Sequence, residues 1–121
     1  MKKIKLGFIG AGWWATSNHM PILVDRDDVI FDSVCRLGKS ELNQVKEKFG
    51  FDFATENYHE LLDRDLDGVI VSSPHTLHFE HSKAALSKGI NVLCEKPMTT
   101  SSEESRELVD IAEKNNLHLM M

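Results

Sequence analysis

Three observations predict an α/β fold, a doubly wound parallel sheet of six strands. An apolar run from Lys3 to Ile9 leads straight into Gly10-Ala11-Gly12-Trp13-Trp14-Ala15, a G-x-G-x-x-G/A pattern where a strand turns into a helix. Short β-branched or apolar runs then alternate with segments of helical periodicity through the rest of the chain. The 121 residues are 41% hydrophobic and 27% charged, which suits one globular domain with its own core. Alternation of this kind implies parallel strands joined by right-handed crossovers, most simply in the order 3-2-1-4-5-6.

Strand one is Lys3 to Ile9, and the first helix opens near Trp13. Pro21 lies within that helix's pattern, so a break is expected, or a restart with proline in a first turn. Val29 to Cys35 reads as strand two. Ser40 to Phe49 carries Leu42, Val45 and Phe49 at helical spacing, with Gly50 as its stop. Phe51 to Ala54 is a short third strand, and Tyr58 to Asp63 a short helix burying Leu61 and Leu62. Val69-Ile70-Val71 is strand four, ended by Ser72-Ser73-Pro74. Thr76 to Lys88 is a helix with Thr76 as N-cap and Gly89 as C-terminal stop. Asn91 to Cys94 is strand five. Ser101 to Glu104 fits a capping box, Glu104 reaching back, for a helix that packs with Leu108, Ile111 and Ala112. Leu117 to Met121 is strand six.

Fourteen basic against nineteen acidic residues give a net charge of −5 with no basic block, which argues against nucleic acid and anionic membrane as partners. No apolar stretch approaches the ~20 residues of a membrane span. Lys2, Lys3 and Lys5 before an apolar run imitate a secretory signal, but three glycines interrupt that run and no cleavage-like site follows. Cys35 and Cys94 lie in apolar runs and read as buried thiols of a reducing, cytoplasmic compartment.

In such a sheet ligands bind beyond the carboxyl ends of the strands, so the residues just after each strand matter most. Gly10 permits the tight turn, Gly12 lets a pyrophosphate approach the backbone, and the small Ala15 lets the helix lie close on the strand. After strand two stand Arg36, Lys39 and Ser40, with no acid in the slot that usually binds the ribose hydroxyls of NAD. A guanidinium, an ammonium and a hydroxyl suit a 2′-phosphate, which favours NADP. Arg36 stacked on adenine, or simply solvated, is the competing account. Ser72, Ser73 and Pro74 form a turn that can lie along a ribose and nicotinamide. His75 and His78 are candidate contacts there, although His75, His78 and His81 lack a strong metal-ligand spacing and no metal site is expected. Glu95, Lys96 and Pro97 follow strand five. Lys96 is placed to act on a substrate hydroxyl or carbonyl, and Glu95 to hold the lysine or bind ribose; a surface turn with an incidental ion pair is the alternative. Trp13 and Trp14 are costly to expose. Each can cover a ligand, face a further domain, or pack on Pro21 or Phe8. Met120 and Met121 can likewise lie on an interface.

Gly10-Ala11-Gly12-Trp13-Trp14-Ala15, Ser73-Pro74-His75 with His78, and above all Val92-Leu93-Cys94-Glu95-Lys96-Pro97 resemble the N-terminal Rossmann domain of the Gfo/Idh/MocA oxidoreductases, over essentially the whole chain. The resemblance implies an NAD(P)-dependent dehydrogenase or reductase acting on a sugar, cyclitol or related hydroxyl/keto compound. It implies that Lys96 is the active-site lysine and that the Lys96-Pro97 bond is cis. Arg36 stands where the family commonly has an acid, and His75 where it often has Asn. The family also carries a second α/β domain that supplies most of the substrate pocket and usually the homo-oligomer interface. Residues 1–121 are therefore expected to be the cofactor domain of a longer protein, with little or no turnover alone. A nucleotide-binding or sensor module without chemistry is the competing class.

Overall fold

The computed structural model describes residues 2–121. Six strands form one parallel sheet: β1 (Ile4–Ile9), β2 (Val29–Cys35), β3 (Phe53–Thr55), β4 (Gly68–Val71), β5 (Asn91–Cys94) and β6 (Leu119–Met120). Their order is β3-β2-β1-β4-β5-β6, as the alternation of elements predicts. The helices are α1 (Met20–Leu23), α2 (Lys39–Phe49), α3 (Tyr58–Leu62), α4 (His78–Ser87) and α5 (Ser102–Lys114). No helix among the described residues is long and apolar enough to cross a membrane.

Successive strand residues point to opposite faces, and the two faces carry two cores. Ile9, Val69, Val71, Val92 and Cys94 pack with Leu61 and Leu62 of α3, Leu86 of α4 and Leu108 of α5. Their neighbours Phe8 and Ile70 join Phe31 and Val34 on the other side, against Met20, Leu42, Val45 and Phe49. The second core is partly aromatic: Phe31 stacks on Phe51 at a centroid distance of 4.9 Å, and Phe8 meets Phe51 edge-on at 5.6 Å. Both thiols are buried. Burial, with the carboxylates of Glu56 and Glu60, pushes Cys35 up to about 11, and burial also raises Cys94.

One local expectation is met and three need correction. The restart expected at Pro21 is found: helix runs across residues 13–23, and regular α-helix begins again with Pro21 in its first turn after a π turn, Ala15–His19. A proline ring crowds the carbonyl four residues back in a regular helix; the wider turn relieves that, with Met20 N–H reaching Ala15 O. Strand three is shifted to Phe53–Thr55. Thr76 is not an N-cap, because it lies inside a 3₁₀ turn, His75–Leu77, and α4 begins at His78. The capping box of α5 is half made. Ser101 Oγ accepts from Glu104 N–H at 3.1 Å, but the Glu104 carboxylate turns to Thr100 Oγ1 and the Ser101 N–H to Thr99 Oγ1.

Candidate dinucleotide site

The glycine turn is fixed by what glycine lacks. Gly10 has φ +92°, and a Cβ there would lie 2.5 Å from Ser73 N and 2.6 Å from Ser72 C. Glycine thus allows both the left-handed backbone and the close approach of the β4 end. A Cβ on Gly12 would meet nothing within 4 Å. The first N–H groups of the following helix have no partner four residues back, and beside them the backbone at Gly12 is open. Ala15 is fully buried under this turn.

A cleft of about 650 Å³ opens beside the turn, at the carboxyl ends of β1, β2 and β4. Gly10, Gly12, Trp13, Trp14, Arg36, Ser72, Ser73, Pro74 and His75 all line it. Ser72 Oγ is buried without a hydrogen-bond partner among the described residues, which leaves it free for a bound group. The open backbone at Gly12, the unpartnered Ser72 hydroxyl and the helix N-terminus together fit a phosphate-bearing nucleotide. Lys39, Ser40, His78, Glu95, Lys96 and Pro97 are not in the cleft lining.

The candidates outside the lining have different surroundings. Lys39 and Ser40 occupy the exposed first turn of α2. His78 is fully buried and stands behind the cleft lining. Its Nε2 lies 2.8 Å from Ser73 O and its Nδ1 2.6 Å from Pro97 O, which ties the β4 turn to the loop after β5. Arg36 folds back over the glycine turn, donating from Nη1 to Ala11 O at 3.1 Å and from Nε to Leu37 O at 3.0 Å.

The loop after β5 is anchored through Glu95. Its Oε1 accepts from Trp14 Nε1 at 3.0 Å and meets His19 Nε2 at 2.6 Å. Residues five apart lie about 140° apart around an α-helix. The π turn, with its i to i+5 hydrogen bond, instead brings Trp14 and His19 onto one carboxylate. Burial pushes the Glu95 carboxyl up, but the hydrogen bonds from His19 and Trp14 outweigh it and hold it below its ordinary value. Lys96 and Pro97 are exposed beyond this anchor, and the bond between them is cis.

Among the cleft residues not singled out from the sequence as contacts are five beyond the β1 and β2 segments: Glu56, Tyr58, Leu77, Glu80 and His81. Tyr58 Oη donates to Glu80 Oε2 at 2.9 Å; burial and that carboxylate push the phenol up to about 12. His81 Nδ1 lies 2.8 Å from Ser73 Oγ, and burial holds its ring below the usual histidine value. Glu56 was within reach of sequence reasoning, because it directly follows β3. Placing the strand at Phe51 to Ala54 moved attention to Thr55. The other four sit in or beside helices, and the post-strand rule does not reach them. His19, the second prong on Glu95, is visible only once the π turn is known.

The family model described as an oxidoreductase family with an NAD-binding Rossmann fold matches residues 4–121. D-glucoside 3-dehydrogenase of Escherichia coli is 34% identical over 112 residues, covering 92% of this chain and 32% of that protein. Glucose-6-phosphate 3-dehydrogenase of Bacillus subtilis is 36% identical over 117 residues, covering 97% of this chain and 33% of its own length. A 3-ketoreductase from Actinomadura kijaniata, solved with NADP and TDP-benzene, superposes with a TM-score of 0.92 at 32% identity, covering 98% of this chain and 37% of that one. The chain thus spans about a third of the length of the curated relatives it matches. The glycine turn, the strand order and these matches agree: the chain belongs to the Gfo/Idh/MocA oxidoreductase family, as its NAD(P)-binding Rossmann domain.

Proposed function

We propose that the chain is the cofactor-holding part of a dehydrogenase or reductase that moves hydride to or from a sugar, cyclitol or related hydroxyl/keto compound. The observation that carries this reading is the common placement of two features. The glycine turn and the Glu95-Lys96-Pro97 loop lie at the same end of the sheet, joined through Trp14 and His19. Gly10, Gly12 and the helix N-terminus hold the pyrophosphate, and Ser72, Ser73, Pro74 and His75 border the ribose. Nicotinamide supplies hydride exchange when bound. Lys96 hydrogen-bonds the reacting oxygen and lowers the pKa of a substrate hydroxyl as hydride leaves. Glu95 acts on Lys96 through the loop, because its carboxylate is already held by Trp14 and His19.

Two finer points complete the proposal. NADP is favoured over NAD by the cations Arg36 and Lys39, and several relatives carry NADP in their names. The substrate pocket is completed by a second domain, so the 121 residues alone bind dinucleotide with little turnover. Titration with NADPH and NADH, followed by quenching of Trp13 and Trp14, tests the first point. Steady-state turnover by the purified 121 residues would overturn the second. In a longer protein carrying both domains, Lys96→Ala is expected to abolish turnover and spare cofactor binding; retained turnover removes Lys96 from the chemistry.

A further inference from the structure

We propose that Glu56 tunes the choice between NAD and NADP, by holding a negative charge on the loop that a 2′-phosphate must reach. The inference rests on the dinucleotide reading above. The loop after β2 faces the adenosine ribose in this fold; an acid there favours free hydroxyls and an arginine favours a 2′-phosphate. Arg36-Leu37-Gly38-Lys39-Ser40 contains no acid. The fold supplies one from the next strand.

β3 pairs in parallel with β2, Cys35 opposite Thr55. The residues that follow, Arg36 and Glu56, therefore emerge side by side, and both line the cleft. Glu56 Oε2 accepts from the Gly38 N–H at 2.9 Å. A second carboxylate covers the same glycine: a Cβ on Gly38, at φ +95°, would lie 2.6 Å from Glu41 Oε2. Arg36 meanwhile commits two donors to the carbonyls of Ala11 and Leu37.

A phosphate dianion entering here meets two carboxylates and must displace Glu56 to reach the Gly38 amide. Ribose hydroxyls face no such conflict, since they can donate to Glu56. Glu56 thus works for NAD against the pull of Arg36 and Lys39 toward NADP, and the balance is set between two strands rather than within the β2 loop.

The test compares the unaltered chain with Glu56→Gln and Glu56→Ala, each titrated with NADP⁺ and NAD⁺ by calorimetry or tryptophan quenching. Adenosine 2′-phosphate 5′-phosphate and AMP serve as probes of the adenosine half alone. Glu56 is exposed, so the fold is expected to survive both changes, with circular dichroism as the check. Glu56→Gln removes the charge, and the NADP⁺-to-NAD⁺ affinity ratio should rise about fivefold at low salt. Glu56→Ala also frees the Gly38 amide and should raise the ratio further. Both gains should shrink as salt screens the charges. An unchanged or lowered ratio, with both cofactors still bound, overturns the role of Glu56 and leaves the dinucleotide site intact. Binding of neither cofactor by the unaltered chain removes the dinucleotide reading itself, and this inference with it.

Discussion

The glycine turn after β1 and the Glu95–Pro97 loop after β5 face the same end of the sheet, yet they are held differently. The turn is packed backbone against backbone: the atoms nearest a Cβ on Gly10 would be main-chain atoms of Ser72 and Ser73. The loop is held by side chains from elsewhere in the sequence, Trp14 and His19 on Glu95, and His78 on Pro97. The first arrangement tolerates almost no atom added, while the second tolerates change in proportion to the hydrogen bonds lost. A Rossmann site can thus combine a rigid phosphate cradle with a loop whose position is adjustable through distant residues.

The largest effect expected from this contrast is at Gly10. Gly10→Ala puts a Cβ into the Ser72–Ser73 backbone at a positive φ, and should cost roughly 2–4 kcal/mol in denaturant unfolding. Gly12→Ala separates binding from stability. Its Cβ enters open space, so stability should change by less than about 0.5 kcal/mol, while dinucleotide affinity falls about tenfold or more as the methyl blocks the pyrophosphate. Loss of stability comparable to Gly10→Ala would erase the distinction between the two glycines.

On the loop side, His78→Ala removes the buried imidazole that lies between Ser73 O and Pro97 O, with the hydrogen bond it donates there, and should cost about 2 kcal/mol. Hydrogen exchange should rise in the β4 turn and in the loop after β5 together; a rise in only one would show that His78 does not couple them. The smallest effect concerns Glu95. Its folded pKa lies below the ordinary 4.5, so its ionised form stabilises the fold above that value, and the contribution disappears as pH falls through the lower folded value. Glu95→Gln should therefore lose under about 1 kcal/mol at pH 7 and show a flatter stability profile below pH ~4.5. Trp14 fluorescence should change over the same acid range in the unaltered chain and not in the variant.

What could be read from the sequence follows the same division. Gly10, Gly12 and the β-branched run Val69-Ile70-Val71 act through residue type and period, and both are visible along a line of letters. The strand order followed from them. The hidden features depend on packing between elements distant in sequence. His78 was a candidate contact by its place after strand four, yet it lies fully buried at the start of α4. Arg36 appeared free to reach outward, but the carbonyls of Ala11 and Leu37 hold it against the turn. Glu56 escaped through a one-residue displacement of the end of β3, from Ala54 to Thr55, enough to move its carboxylate out of the first position after the strand.

The π turn at Ala15–His19 has a consequence for how such a site can change over generations. A π turn differs from the α-helix around it by one inserted residue. Loss of a single codon between Ala15 and Asn18 would restore the regular ladder and leave Trp14 and His19 four residues apart, about 40° around an α-helix and still on one face. Glu95 would then keep both partners on that face, with every cleft-lining residue still encoded. Anchoring of the loop that bears Lys96 is therefore compatible with either length of this helix, the extra residue being absorbed by the π turn far from the loop in the gene.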